Sequence, residues 1–82
     1  MMTTEELRAA WDAHISKFPL SEEQAGLWLG LHNDETIMRG LNATFWKWNR
    51  DGFRLKMNED YLIRYTSKTL NNIKARTLPV NQ

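Results

Sequence analysis

A chain of 82 residues, 41% hydrophobic and 26% charged, holds enough apolar material for one domain and too little length for two. It has no cysteine, which excludes disulfides, thiolate catalysis and cysteine-based zinc sites. The net charge of +1 hides a split: residues 1–37 carry seven carboxylates against two cations, and residues 38–82 carry nine cations against three carboxylates. Such a split fits a basic surface for a polyanion, or acidic and basic helices packed beside one another.

A chain this short buries only about 60–65% of its unfolded surface, so it needs large core residues. Four Trp, three Phe, two Tyr and four Met supply them. The first residues, Met-Met-Thr-Thr-Glu-Glu, lack the basic and apolar regions of a signal peptide. No apolar run approaches the roughly 18–20 residues of a membrane span. A cytoplasmic protein is the expectation.

Thr3-Thr4-Glu5-Glu6 reads as a capping box, with acidic residues suited to the positive end of a helix. Leu7, Trp11, Ile15 and Phe18 then recur at helical spacing, which predicts a helix over 4–17 that stops before Pro19. His14 falls at the edge of that stripe and reads as a packed, hydrogen-bonded side chain. Ser21 to Gln24 forms a second capping box, with Leu20 placed as a hydrophobic staple. The next helix, 22–31, is apolar around most of its circumference, which predicts a central position with Leu27, Trp28 and Leu31 in the core. Gly26 and Gly30 share one of its faces. Each lowers helix propensity by up to about 1 kcal/mol relative to Ala, and close approach of another helix would compensate. Asn33 reads as the next N-cap. His32, Asp34 and Glu35 match neither a zinc-protease nor an EF-hand spacing, so no metal is expected.

Ile37 to Arg50, IMRGLNATFWKWNR, forms most of a helix expected over 35–50. At about 100° per residue, Ile37, Leu41, Thr44, Phe45 and Trp48 share a core face. Trp46 falls opposite, near Arg39 and Arg50. Gly52 then offers a left-handed C-cap. Phe53 to Met57 alternates apolar and basic residues, which predicts a short extended connector with Phe53, Leu55 and Met57 on the core. Asn58 caps a last helix over 59–76, with Leu62, Ile63, Thr66, Leu70 and Ile73 inward. Residues 78–82, from Leu78-Pro79 onward, read as a flexible tail. The whole predicts a single all-α domain over 1–82: a compact bundle of about four helices with a short extended connector before the last.

No nucleophile elbow, phosphate loop, dinucleotide fingerprint or zincin motif is present, and the carboxylates at helix starts are explained by capping, so no enzyme and no cofactor are expected. Two binding readings remain. A protein partner fits the excess of Trp, Tyr, Arg and Met, residues favoured at interface cores. Direct DNA or RNA binding fits a basic, aromatic face. Either would use Arg39, Trp46, Arg50, Arg54, Lys56, Tyr61, Arg64, Lys68, Asn71 and Asn72. A homodimer, with Gly26 and Gly30 or Trp46 at its seam, is a further arrangement.

Met57 to Asn72, MNEDYLIRYTSKTLNN, resembles the closing helix of small helical modules in phage- and prophage-encoded proteins, some of them attached to replication-type winged-helix domains. This chain has no such attached domain. The resemblance implies a phage context. For a small phage protein acting alone it implies an inhibitor of a host nucleic-acid machine, such as an anti-CRISPR protein.

Overall fold

A computed structural model describes residues 1–77. The described residues form four α-helices and no strand: α1 (Thr4–His14), α2 (Glu22–Leu31), α3 (Asp34–Lys47) and α4 (Glu59–Thr77). One π-helical turn, Trp48–Gly52, extends α3. The tail expected from residue 78 lies outside the described residues.

Side chains set the helix starts. Thr3 accepts from the Glu6 amide while Glu6 accepts from the Thr3 amide, a closed capping box. Ser21 caps α2 through Gln24, Asn33 caps α3 through Thr36, and Asn58 caps α4 through Tyr61. At Ser21 only this forward bond is made among the described residues, not the return bond of a box.

Helix ends depart from the sequence reading because tertiary contacts decide them. α1 stops at His14 rather than residue 17. Ile15 leaves the helix and the chain turns, so that the Trp11 indole N–H donates to the Phe18 carbonyl at 2.8 Å. α3 gives way to the π turn at Trp48, three residues early. Gly52 has no positive φ and is not a left-handed cap. Its role is spatial: a Cβ there would lie 2.3 Å from Trp48 Cε3, so glycine is what lets the Trp48 ring lie against the turn.

The core joins all four helices. Leu7, Trp11, Ile15, Trp28, Ile37, Leu41, Leu62 and Leu70 are buried within it. Trp11 anchors the aromatic part, 5.8 Å from Trp28 and 6.2 Å edge-on to Phe45. α4 packs chiefly on α3. There Thr66 donates to the Leu62 carbonyl at 2.7 Å, and the Thr44 hydroxyl lies 2.8 Å from the Thr66 oxygen. These buried hydroxyls pair with each other and with the backbone, as buried polar groups must.

Four packing expectations are corrected. Leu27 and Leu31 are not core: they are 57% and 51% exposed, because only one side of α2 is covered. Gly26 and Gly30 make no close helix contact, since a Cβ on Gly26 would meet only Thr4 Cγ2 at 3.9 Å and one on Gly30 nothing within 4 Å. The close approach occurs at Gly40, where a Cβ would fall 2.3 Å from Leu70 Cδ2. The connector is a run of turns rather than an extended segment. Of its three apolar residues only Met57 is buried, while Phe53 is 96% exposed and Leu55 is also exposed. The turns are closed by local hydrogen bonds from Leu55 N to Asp51 O and from Met57 N to Gly52 O, which rotate Phe53 outward. His14 is exposed and held by stacking 4.2 Å from Phe45, with no hydrogen bond from its ring among the described residues. No helix among the described residues is long and apolar enough to cross a membrane.

Candidate binding surface

The helical period of α3 puts Arg39 and Trp46 on its outer face, opposite Ile37, Leu41 and Phe45, and the π turn that follows carries Arg50. Trp46 is 64% exposed. The Arg50 guanidinium carbon lies 4.4 Å from the Trp46 ring centroid, a cation–π contact.

The π turn organises the charges beside it. It carries Asp51 into a buried position, where its carboxylate accepts from Arg50 Nη2 at 2.7 Å and from Arg54 Nη2 at 3.0 Å. Lys47 Nζ lies 3.8 Å from the same carboxylate. A carboxylate held by charge-assisted hydrogen bonds from two guanidinium groups favours its ionised form. Hydrogen bonding from Arg50, then from Arg54, brings the Asp51 pKa down to about 2. The same bond raises the Arg50 pKa. Three cations around one carboxylate leave the locus positive, and the two arginines are fixed in orientation.

Lys47 links this cluster to α4. Its Nζ also lies 5.4 Å from the Tyr65 ring centroid. Tyr65 is stacked parallel with Tyr61, centroids 6.2 Å apart, and both line a shallow groove with Arg64 and Lys68. A continuous aromatic and basic surface therefore runs from Trp46 through Lys47 to Lys68.

Of the residues expected from sequence, the structure brings Trp46, Arg50 and Arg54 together through Asp51, and Tyr61, Arg64 and Lys68 together along α4. Arg39 stands apart and pairs with Glu35 at 3.3 Å. Lys56 shares a small pocket with Leu55, Asn58 and Tyr61. Asn71 and Asn72 are exposed further along α4 and join neither group. Sequence reasoning missed Asp51, Lys47 and Tyr65. The signal for Asp51 was available: Lys47 four residues before it, Arg50 adjacent and Arg54 three after is ion-pair spacing around one acid.

The arginines on this surface are largely engaged within the chain. Arg39 has Glu35, Arg50 and Arg54 have Asp51, and Arg64 pairs with Asp60 at 3.0 Å. Among the described residues, Lys56 and Lys68 are the cations of this surface without such a carboxylate. No group of three or more His, Asp or Glu among the described residues is arranged to hold a metal ion. No family model matches this chain, and no curated protein or solved structure matches it.

Proposed function

We propose that this chain is a non-catalytic binding module that engages a protein partner through the surface centred on Trp46 and Arg50. One observation carries the reading: an exposed indole is held under a guanidinium that is itself fixed by the buried Asp51. Interface hot spots are enriched in Trp and Arg, and an anchor already ordered in the free protein loses less entropy on binding. The complementary patch on the partner is an apolar recess for the indole, edged by carboxylate or carbonyl oxygen for Arg50 and Arg54. In line with the phage-type resemblance, a host protein that handles nucleic acid is the partner class to assay first. The test is affinity capture with the tagged full chain beside its Trp46→Ala and Arg50→Ala variants, each checked for folding by circular dichroism. A partner retained by the wild type and lost by folded Trp46→Ala supports the reading. Equal retention by both overturns it.

Direct nucleic-acid binding is the second reading, favoured by exposed Lys68, Asn71 and Asn72 along α4. Arginines already paired to carboxylates release fewer counterions. With Lys56 and Lys68 the free cations of this surface, neutralising about two phosphates sets a slope of log K against log salt no steeper than about −2. Anisotropy titrations of labelled DNA and RNA at two salt concentrations measure it. Binding with a slope of about −2, abolished in Lys56→Ala/Lys68→Ala, would replace the protein-partner reading.

A further inference from the structure

The π turn that positions Asp51 also shapes a cleft of about 500 Å³, within the range of small-molecule sites. Phe18, Trp48, Phe53 and Met57 give it apolar walls, and Lys17 and Lys56 give it charge. Phe18 and Trp48 meet edge to face at 6.0 Å. Gly52 is required there, because any side chain would displace the Trp48 ring.

The charge in this cleft is one-sided. No carboxylate lines it. Among the described residues neither Lys17 nor Lys56 has an acidic partner, whereas Lys47, Arg39, Arg50, Arg54 and Arg64 all do. Lys17 Nζ instead lies 5.5 Å from the Phe18 ring centroid, at the apolar wall. Lys56 holds the backbone at φ 53°, the left-handed region that a lysine adopts at some energetic expense. The neighbouring amides are hydrogen-bonded, Lys56 N to Phe53 O at 3.2 Å and Met57 N to Gly52 O at 3.0 Å, so the lip of the cleft is formed in the free protein. Phe53 contributes an aromatic ring that the fold itself leaves almost wholly uncovered.

We propose that this cleft binds a small amphiphilic anion: an apolar chain or ring that lies along Phe18, Trp48, Phe53 and Met57 and ends in a carboxylate met by Lys17 and Lys56. The apolar walls supply affinity and the unpaired lysines select the sign of the head group. The cleft shares the π turn and Lys56 with the neighbouring surface, but neither Trp46 nor Arg50 lines it. The same chemistry could be met at an anionic bilayer; the proposal commits to the free amphiphile, because a cleft of about 500 Å³ has the size of a single small-molecule site.

Isothermal titration of the full chain with octanoate, octanol and octylammonium below their micellar concentrations tests it, with decanoate as the chain-length probe. Octanoate binds at one site per chain, octylammonium does not, and decanoate binds up to about 15-fold tighter than octanoate, from two further buried methylenes. Lys17→Gln/Lys56→Gln lowers octanoate affinity at least about tenfold, the range of a lost charge-assisted contact, and leaves octanol binding unchanged. Phe53→Ala, at a position whose side chain supports no packing, weakens both. Equal binding of octanoate and octylammonium, or no octanoate binding, overturns the proposal. So does sedimentation with phosphatidylglycerol-containing vesicles in the absence of octanoate binding, which would make Phe53 a bilayer contact.

Discussion

The guanidinium of Arg50 does two things at once: it covers the Trp46 ring at 4.4 Å and donates to the buried Asp51 carboxylate at 2.7 Å. A surface tryptophan is thereby tied to the interior through one arginine. An exposed cation–π pair contributes about 0.5–1 kcal/mol, so Trp46→Ala is expected to lower stability by no more than about 1 kcal/mol, a Tm decrease within about 8 °C. Trp28→Ala, which empties a fully buried site, is expected to lower it by about 3–5 kcal/mol. Thermal melts of the two variants side by side measure this. Equal losses would place Trp46 in the core and end its assignment as a binding anchor.

Asp51 should give the chain an acid-sensitive step. Its folded pKa is depressed from 3.8 to about 2 by Arg50 and Arg54. A depressed carboxylate stabilises fully above its unfolded pKa, and that contribution is lost as pH falls through the folded value. Asp51→Asn is therefore expected to melt lower than wild type at pH 7, and the gap should close as the pH is lowered from about 4 to about 2. A gap that stayed constant to about pH 2 would show that the pairing does not distinguish the folded from the unfolded chain.

Two glycines should respond to the same substitution with opposite signs. Gly30→Ala fills open space on α2 and is expected to raise stability by about 0.5–1 kcal/mol. Gly40→Ala forces a methyl into Leu70, which is fully buried and cannot step aside. Overpacking of about 1–3 kcal/mol offsets the gain in helix propensity, so stability should fall. Urea unfolding of both variants reads the signs directly. A destabilised Gly30→Ala would mean that the outer face of α2 is already occupied in solution.

The Thr44–Thr66 pair has a direction. Thr66 donates to the Leu62 carbonyl, which can only accept, so Thr44 is the donor to Thr66. Thr66→Val strands a buried donor, worth about 1–3 kcal/mol. Thr44→Val removes the donor and leaves the Thr66 bond to Leu62 intact, so its effect should be smaller. The double variant, with no stranded group, should recover part of the Thr66→Val loss. Equal losses in the two single variants would contradict this assignment of the proton.

The sequence made the helix starts legible because their causes are local. Thr3, Ser21, Asn33 and Asn58 each cap the helix that follows them by a bond to a residue three positions on. The ends were less legible because distant groups decide them: the Trp11 indole reaches Phe18, and the Trp48 ring needs Gly52. Glycine spacing misled for the same reason. Gly26 and Gly30 share a face by periodicity, yet the helix that crosses closely does so at Gly40. Alternation in Phe53 to Met57 implied a buried edge, but turn hydrogen bonds outrank a five-residue pattern and expose Phe53. The outward position of Trp46 followed from the helical period alone. Its anchoring by Asp51 required the π turn, which no local sequence feature announced.

The central claim, that the Trp46 surface engages a protein, is tested most directly by affinity capture from nuclease-treated cell extract with wild type and Trp46→Ala in parallel. The account predicts a partner that survives nuclease treatment with the wild type and is absent with Trp46→Ala, although that variant stays folded and melts within about 8 °C of wild type. A partner retained equally by both chains would contradict it, as would one that disappears with the nucleic acid.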